Sequence, residues 1–199
     1  MSGHGVVLQL IVILLLASCM SDNERTQVQR IVDLRNQVIN GESWEESDTT
    51  LLNNAEFIEY YLTAEKLYPI IEEIMRSDSI DQETKLLAVL IAQGLPFSAY
   101  MDFAEMVLQA YESDVVSERI VAYSIFPGAS WGVTMVENAN EIRVTGFLSR
   151  VEKSTDDDLV QARIKAIRDG SYKRYIDHLA QTGVTVPVIH SKISDQELN

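Results

Sequence analysis

The chain has 199 residues, 46% of them hydrophobic, with 16 Lys and Arg against 30 Asp and Glu and a formal net charge of −14. That length fits one domain, and that charge excludes a general nucleic-acid binder, which needs cations to displace counterions from phosphates. No Lys, Arg, Asp or Glu precedes Asp22, so residues 22–199 carry the whole charge.

The first feature in chain order is Val6–Ala17, an apolar run interrupted only by Gln9. It falls short of the ~20 residues of a bilayer-spanning helix and suits the core of an export signal. It ends in Leu16-Ala17-Ser18-Cys19. These residues resemble the lipobox of bacterial lipoprotein signals, with small side chains flanking the cleavage point and a cysteine closing the apolar core. The resemblance covers residues 1–19; the stretch ahead of the core, Met1–Gly5, carries no Lys or Arg. The resemblance implies a signal peptide over residues 1–18, with Cys19 joined to diacylglycerol and left as an acylated N-terminus. It also implies that Met20, in the position where Asp would retain the protein, permits sorting to the outer membrane of a Gram-negative cell. Cys19 is the only cysteine, so no disulfide framework exists. Several acyl chains, at ~0.8 kcal/mol per buried methylene, make such an anchor permanent.

Met20–Arg25 reads as a short polar tether, so that residues 19–25 link lipid to fold. Thr26–Asn40 has Val28, Ile31, Val32, Val38 and Ile39 at helical spacing, with Asn40-Gly41 as a stop. Glu42–Thr50 is a polar, acidic loop carrying Trp44. Leu51–Leu67 supplies the next helical stretch, entered near Asn53 or Asn54, with Phe57 and Tyr61 at i, i+4 beside Ile58 and Leu62. Pro69 then breaks the chain or opens a new helix.

From Pro69 two helix pairs follow. The first is Pro69–Arg76 with Thr84–Gly94, the second Ala99–Tyr111 with Glu118–Gly128, and each pair is joined by an acidic turn. Ile70, Ile71, Ile74 and Met75 match Phe103, Ala104, Val107 and Leu108 at an offset of 33, and Leu86-Leu87-Ala88 match Ile120-Val121-Ala122 at 34. Two-helix units at such a period resemble the hairpins of HEAT-like helical-repeat proteins, in which each hairpin buries its apolar face against the next. Gly94-Leu95-Pro96 and Phe126-Pro127-Gly128 punctuate the units. Ala129–Val136 reads as irregular. Asn138–Lys153 is a helix with Ile142, Val144, Phe147, Leu148 and Val151 as its apolar positions. Thr155–Asp158 marks a helix start, Leu159–Arg168 a helix stopped at Gly170, and Ser171–Gln181 a last helix. The expected fold is all-α: stacked hairpins in one solenoid-like domain over residues 26–183, with an extended tail over 184–199.

Chemistry-bearing motifs are few. The histidines are His4, His178 and His190, and neither the spacing of a zinc site nor a Gly-x-Ser-x-Gly surround is present. His178 reads as an ordinary helical residue. Asp156-Asp157-Asp158 and Glu72-Glu73 are consecutive, and successive helical residues turn about 100° apart; a cap and solvated faces are the better reading. No catalytic residue, metal or cofactor is expected.

Charge and aromatic distribution say more. Gly41–Glu65 and Leu86–Glu118 hold many acids and no Lys or Arg, whereas Ala162–Arg174 carries Arg163, Lys165, Arg168, Lys173 and Arg174 against Asp169 alone. The acids either form an open face for a basic partner or are neutralised internally by that basic segment. Tyrosines concentrate in the same central helices, and Tyr and Trp serve interfaces as well as cores. The residues expected to meet a partner are Glu56, Glu59, Tyr60, Asp102, Glu105 and Trp131.

These features favour a lipid-anchored, non-enzymatic protein-binding module of the bacterial envelope, held to the membrane through Cys19. An immunity or inhibitor lipoprotein that neutralises a basic toxin is a narrower form of it. The alternative class is an envelope hydrolase working through two convergent carboxylates.

Overall fold

The computed structural model describes residues 22–38, 54–125, 135, 138–171 and 173–174. The protein is all-α, with no strand among the described residues. Its main helices are α1 (Asp22–Val38), α2 (Ala55–Leu62), α3 (Ala64–Arg76), α4 (Gln82–Ala92), α5 (Phe97–Glu112), α6 (Glu118–Ile125), α7 (Ile142–Ser154) and α8 (Asp158–Arg168). Cys19, expected to be acylated, Trp44, Trp131, both later histidines and the expected tail lie outside the described residues.

Helix α1 begins at Asp22, inside the stretch expected to be tether. Its buried stripe is Ile31 and Leu34 with Val28 partly covered, while Val32 is only half-buried. The three stripe positions recur every third residue, so a register through Leu34, not Val32, meets the core.

The Leu51–Leu67 stretch is not one helix. Asn54 starts α2 by accepting the backbone N–H groups of Glu56 and Phe57, each at 3.0 Å. The chain then breaks at Thr63, whose Oγ1 donates to the Glu59 carbonyl at 2.7 Å. That side chain competes with the backbone ladder. Pro69, expected to be the break, lies within α3 instead. It is exposed, so the one hydrogen bond it forgoes is lost on the solvent side. Leu67, Ile70, Ile71, Ile74 and Met75 hold the helix against the core through it. Packing outweighs the proline here.

The remaining helices form three antiparallel pairs, α3 with α4, α5 with α6 and α7 with α8. Helix α3 touches α5 and α5 touches α7; α4 touches α6 and α6 touches α8. Helices α1 and α2 close the N-terminal side, both packing on α3 and α4. Helix α4 is therefore wrapped by α1, α2, α3 and α6, and it is buried nearly all round, from Thr84 to Val89 and again at Ile91 and Ala92. The eight residues matched at offset 33 and the six matched at 34 are all buried.

On α7, Val144, Phe147, Leu148 and Val151 are fully buried, but Ile142 is 90% exposed, because it is the first residue of the helix and precedes the packed stripe. Asp157 caps α8 by accepting Val160 N–H at 2.9 Å, and Gly170 ends that segment at a φ of 68°. The turn after α5 achieves the same reversal without glycine. Asp114 sits at φ 60°, with Val115 N–H donating to Ala110 at 2.8 Å and Asp114 N–H to Tyr111 at 3.0 Å.

Candidate functional site

The hairpin turns 77–81, 113–117 and 155–157 gather at one end of the bundle and are tied to each other there. Gln82 and Lys85, at the start of α4, both donate to the Val115 carbonyl, at 3.0 and 2.6 Å, and Gln82 accepts Ser117 N–H at 3.0 Å. Ser154 donates to Glu112 at 3.0 Å. These turns carry Asp78, Asp81, Asp114, Asp156 and Asp157 and no Lys or Arg. A shallow groove of about 380 Å³ runs between the second and third turns, bordered by Tyr111, Glu118, Lys153 and Asp156.

Two of these acids have structural work. Asp157 is a helix cap, and Asp81 caps α4 by accepting Thr84 N–H at 3.0 Å and Thr84 Oγ1–H at 2.8 Å. Burial pushes the Asp81 carboxyl up, but the Thr84 hydrogen bonds and the Arg35 guanidinium, 3.3 Å away, outweigh it and hold the carboxyl below its ordinary value. Lys85 is 1% exposed; burial lowers its ammonium below the usual range, opposed by Asp78 and Asp81.

The partner-facing residues expected from sequence fall on two helices. Glu56, Glu59 and Tyr60 are on α2, and Asp102 and Glu105 on α5; Trp131 lies outside the described residues. Tyr60 is 7% exposed and its hydroxyl donates to Glu56 at 2.8 Å, so this tyrosine belongs to the core with only its polar tip engaged outward. Burial, then the Glu56 hydrogen bond and charge, push its phenol up to about 12.

Asp102 and Glu105 do not form an open acidic face. Arg143 of α7 pairs with Asp102 and also donates to the Ser98 carbonyl at 3.3 Å, and Arg150 pairs with Glu105. These two acids are therefore neutralised internally, by α7 and not by the basic segment expected to do so. Arg163 of that segment is only 6% exposed, donates to the Ala122 carbonyl at 2.7 Å and lies 4.9 Å from the Tyr123 ring centre. Arg168 pairs with Glu152 at 2.8 Å on its own hairpin. Arg143, Arg150 and Arg119, which reaches Glu83 at 3.0 Å, were not singled out from sequence. The available signal was the seven-residue spacing of Arg143 and Arg150, which puts both on one side of α7.

Glu72 pairs with Arg76 one turn on, at 2.8 Å. Among the described residues no group of three or more His, Cys, Asp and Glu is placed to hold a metal.

The tyrosine environment sets an alkaline limit. Below pH 10 both folded and unfolded chains keep the Tyr60 proton. Between the ordinary value of 10.0 and about 12 the unfolded chain loses it first, so stability falls as pH rises. Tyr68 and Tyr100, raised mainly by burial, act in the same direction. Lys85 opposes them, since its lowered value makes stability rise with pH as 10.5 is approached. Replacing Tyr60 by Phe is expected to remove about 2 kcal/mol of the alkaline loss. Urea melts of parent and variant at pH 9 and 12 check this: a variant whose loss between the two equals the parent's would exclude Tyr60 as the group responsible.

Compared with family models, with curated proteins and with solved structures, the chain matches none of them.

Proposed function

We propose that this chain is a lipid-anchored, non-enzymatic module of the bacterial envelope that binds another protein. The observation that carries the anchor is Leu16-Ala17-Ser18-Cys19 closing an apolar export core, followed within three residues by the first helix. The order of helix contacts supports a short solenoid, with α3, α5 and α7 in one row and α4, α6 and α8 in the other. Such rows present broad surfaces for a partner.

The net charge of −14 makes that partner basic, steered by long-range attraction. A toxin neutralised by an immunity lipoprotein is the narrower form of the same reading. Because Asp102 and Glu105 already pair with Arg143 and Arg150, a partner would compete for them, whereas Glu59 and the turn acids Asp78, Asp114 and Asp156 are exposed.

Capture from detergent-solubilised membranes tests the binding reading. The recovered partner is expected to bind more weakly as salt rises, and more weakly again to E56Q/E59Q and D102N/E105Q. Thermal melts of the variants separate lost binding from a loosened α5–α7 contact. Binding indifferent to salt and to both variants would remove the acidic surface from the mechanism. Turnover of an envelope substrate by the purified protein would overturn the binding reading itself. For the anchor, Cys19→Ser should leave uncleaved precursor; a variant of mature size that still partitions into detergent would sink that reading.

A further inference from the structure

We propose that one end of the bundle, formed by the start of α1, the α2–α3 junction and the start of α7, rests on the lipid bilayer, with Leu62 and Ile142 entering its interface. The proposal rests on the reading of Cys19 as acylated, and adds to it which end of the fold meets the lipid.

Polar ties fix the two ends of the bundle. Arg35, near the finish of α1, pairs with Asp81 at the start of α4, so α1 finishes at the end where the hairpin turns gather. Its 17 residues, at a rise of about 1.5 Å each, carry its start toward the opposite end. Arg30, between the two, acts on Tyr60 near the α2–α3 junction.

That opposite end is where the hairpins connect to one another. The Gly94 Cα there is so close to Tyr61 that a Cβ would stand 1.8 Å from the Tyr61 carbonyl oxygen, which places the end of α4 beside the α2–α3 junction. Arg143 reaches the Ser98 carbonyl and Asp102, which places the start of α7 beside the start of α5. Leu62 and Ile142, on separate elements, thus share an end with the α1 N-terminus.

Reach then decides what covers them. Asp22 follows Cys19 by three residues, which span at most about 11 Å even fully extended. A cysteine held in the acyl boundary therefore keeps this end at the headgroups. Ile142 is 90% exposed and Leu62 51%, and both are large aliphatic side chains. A bilayer interface takes such groups favourably. The charge pattern agrees. The three turns at the far end hold five aspartates and no base, and an anionic lipid surface repels them. At this end the signs are mixed: Glu65 stands beside Lys66 and Glu141 near Arg143, Glu59 is an exposed acid, and the connector 93–96 is uncharged.

The test uses the full chain made in bacteria, with acylation of Cys19 read by intact mass, reconstituted in phosphatidylethanolamine–phosphatidylglycerol vesicles. Leu62→Cys, Ile142→Cys or Leu159→Cys carries an environment-sensitive dye; the Cys19 sulfur, as a thioether, does not react. Leu159 is 44% exposed at the start of α8, beside the third turn, and serves as the far-end control. All three sites are on the surface, so labelling leaves the core intact. With nitroxide-bearing lipid, dyes at 62 and 142 are expected to shift to the blue and lose most of their emission, while the dye at 159 keeps its own. Any other pattern with the acyl mass present overturns the assignment of this end and leaves the anchor standing. Absence of the acyl mass sinks the anchor reading, and the proposal with it.

Discussion

Leu87→Asp is expected to destabilise the protein by several kcal/mol. Leu87 is fully buried on α4, the helix enclosed by α1, α2, α3 and α6. An aspartate there either holds an unpaired charge in an apolar surround or takes up a proton, and both options cost. The loss is about 4 kcal/mol or more, against a total of roughly 5–15 kcal/mol for an ordinary domain. Leu62→Asp makes the same chemical change at a position 51% exposed and is expected to cost little. Urea melts followed by circular dichroism, run on both variants, separate burial from any general intolerance of aspartate. A Leu87→Asp protein with the parent's midpoint would mean that α4 is not the centre of this core.

The position of α4 was legible because the sequence repeats. Leu86-Leu87-Ala88 and Ile120-Val121-Ala122 stand at matching places in two units, and matching apolar positions in stacked hairpins face the same core. The break at Thr63 was not legible. Sequence reading weights Pro69 as the breaker, but the cost of a proline depends on whether the lost hydrogen bond faces water or core, and this one faces water. Ile142 shows a related limit: periodicity finds an apolar stripe but does not say at which residue the helix begins, and a first residue can precede the packed face.

The charges show a different limit. Two acid-rich, base-free stretches were visible at once, and so was a basic segment to oppose them. Which cation meets which acid depends on the neighbours of each helix. Because α7 lies along α5, Arg143 and Arg150 meet Asp102 and Glu105; because α8 lies along α6, Arg163 is spent on the Ala122 carbonyl and the Tyr123 ring. Such exposed pairs are worth roughly 0–1 kcal/mol each, so they orient the hairpins more than they stabilise them. A partner able to replace them would meet little resistance.

Gly94→Ala is the second large effect, and the contrast with Gly146→Ala makes it diagnostic. An added Cβ at position 94 would stand 1.8 Å from the Tyr61 carbonyl oxygen and 2.8 Å from its carbon. Both are backbone atoms, so no side-chain rotation can clear the space, and the end of α4 must move off the α2–α3 junction. Overpacking of this kind costs about 3 kcal/mol. At position 146, in the middle of α7, the nearest atom outside the helix backbone is Arg150 Nη1 at 3.8 Å, an ordinary contact. There the methyl group only removes unfolded-state freedom and improves helix propensity, a gain of about 0.5–1 kcal/mol. The same substitution should therefore lower the melting midpoint at one site and raise it at the other. Equal midpoints at Gly94→Ala and in the parent would show that α4 and the α2–α3 junction do not approach as closely as this packing requires. The end of the bundle assigned to the bilayer would then lose the contact that places Leu62 in it.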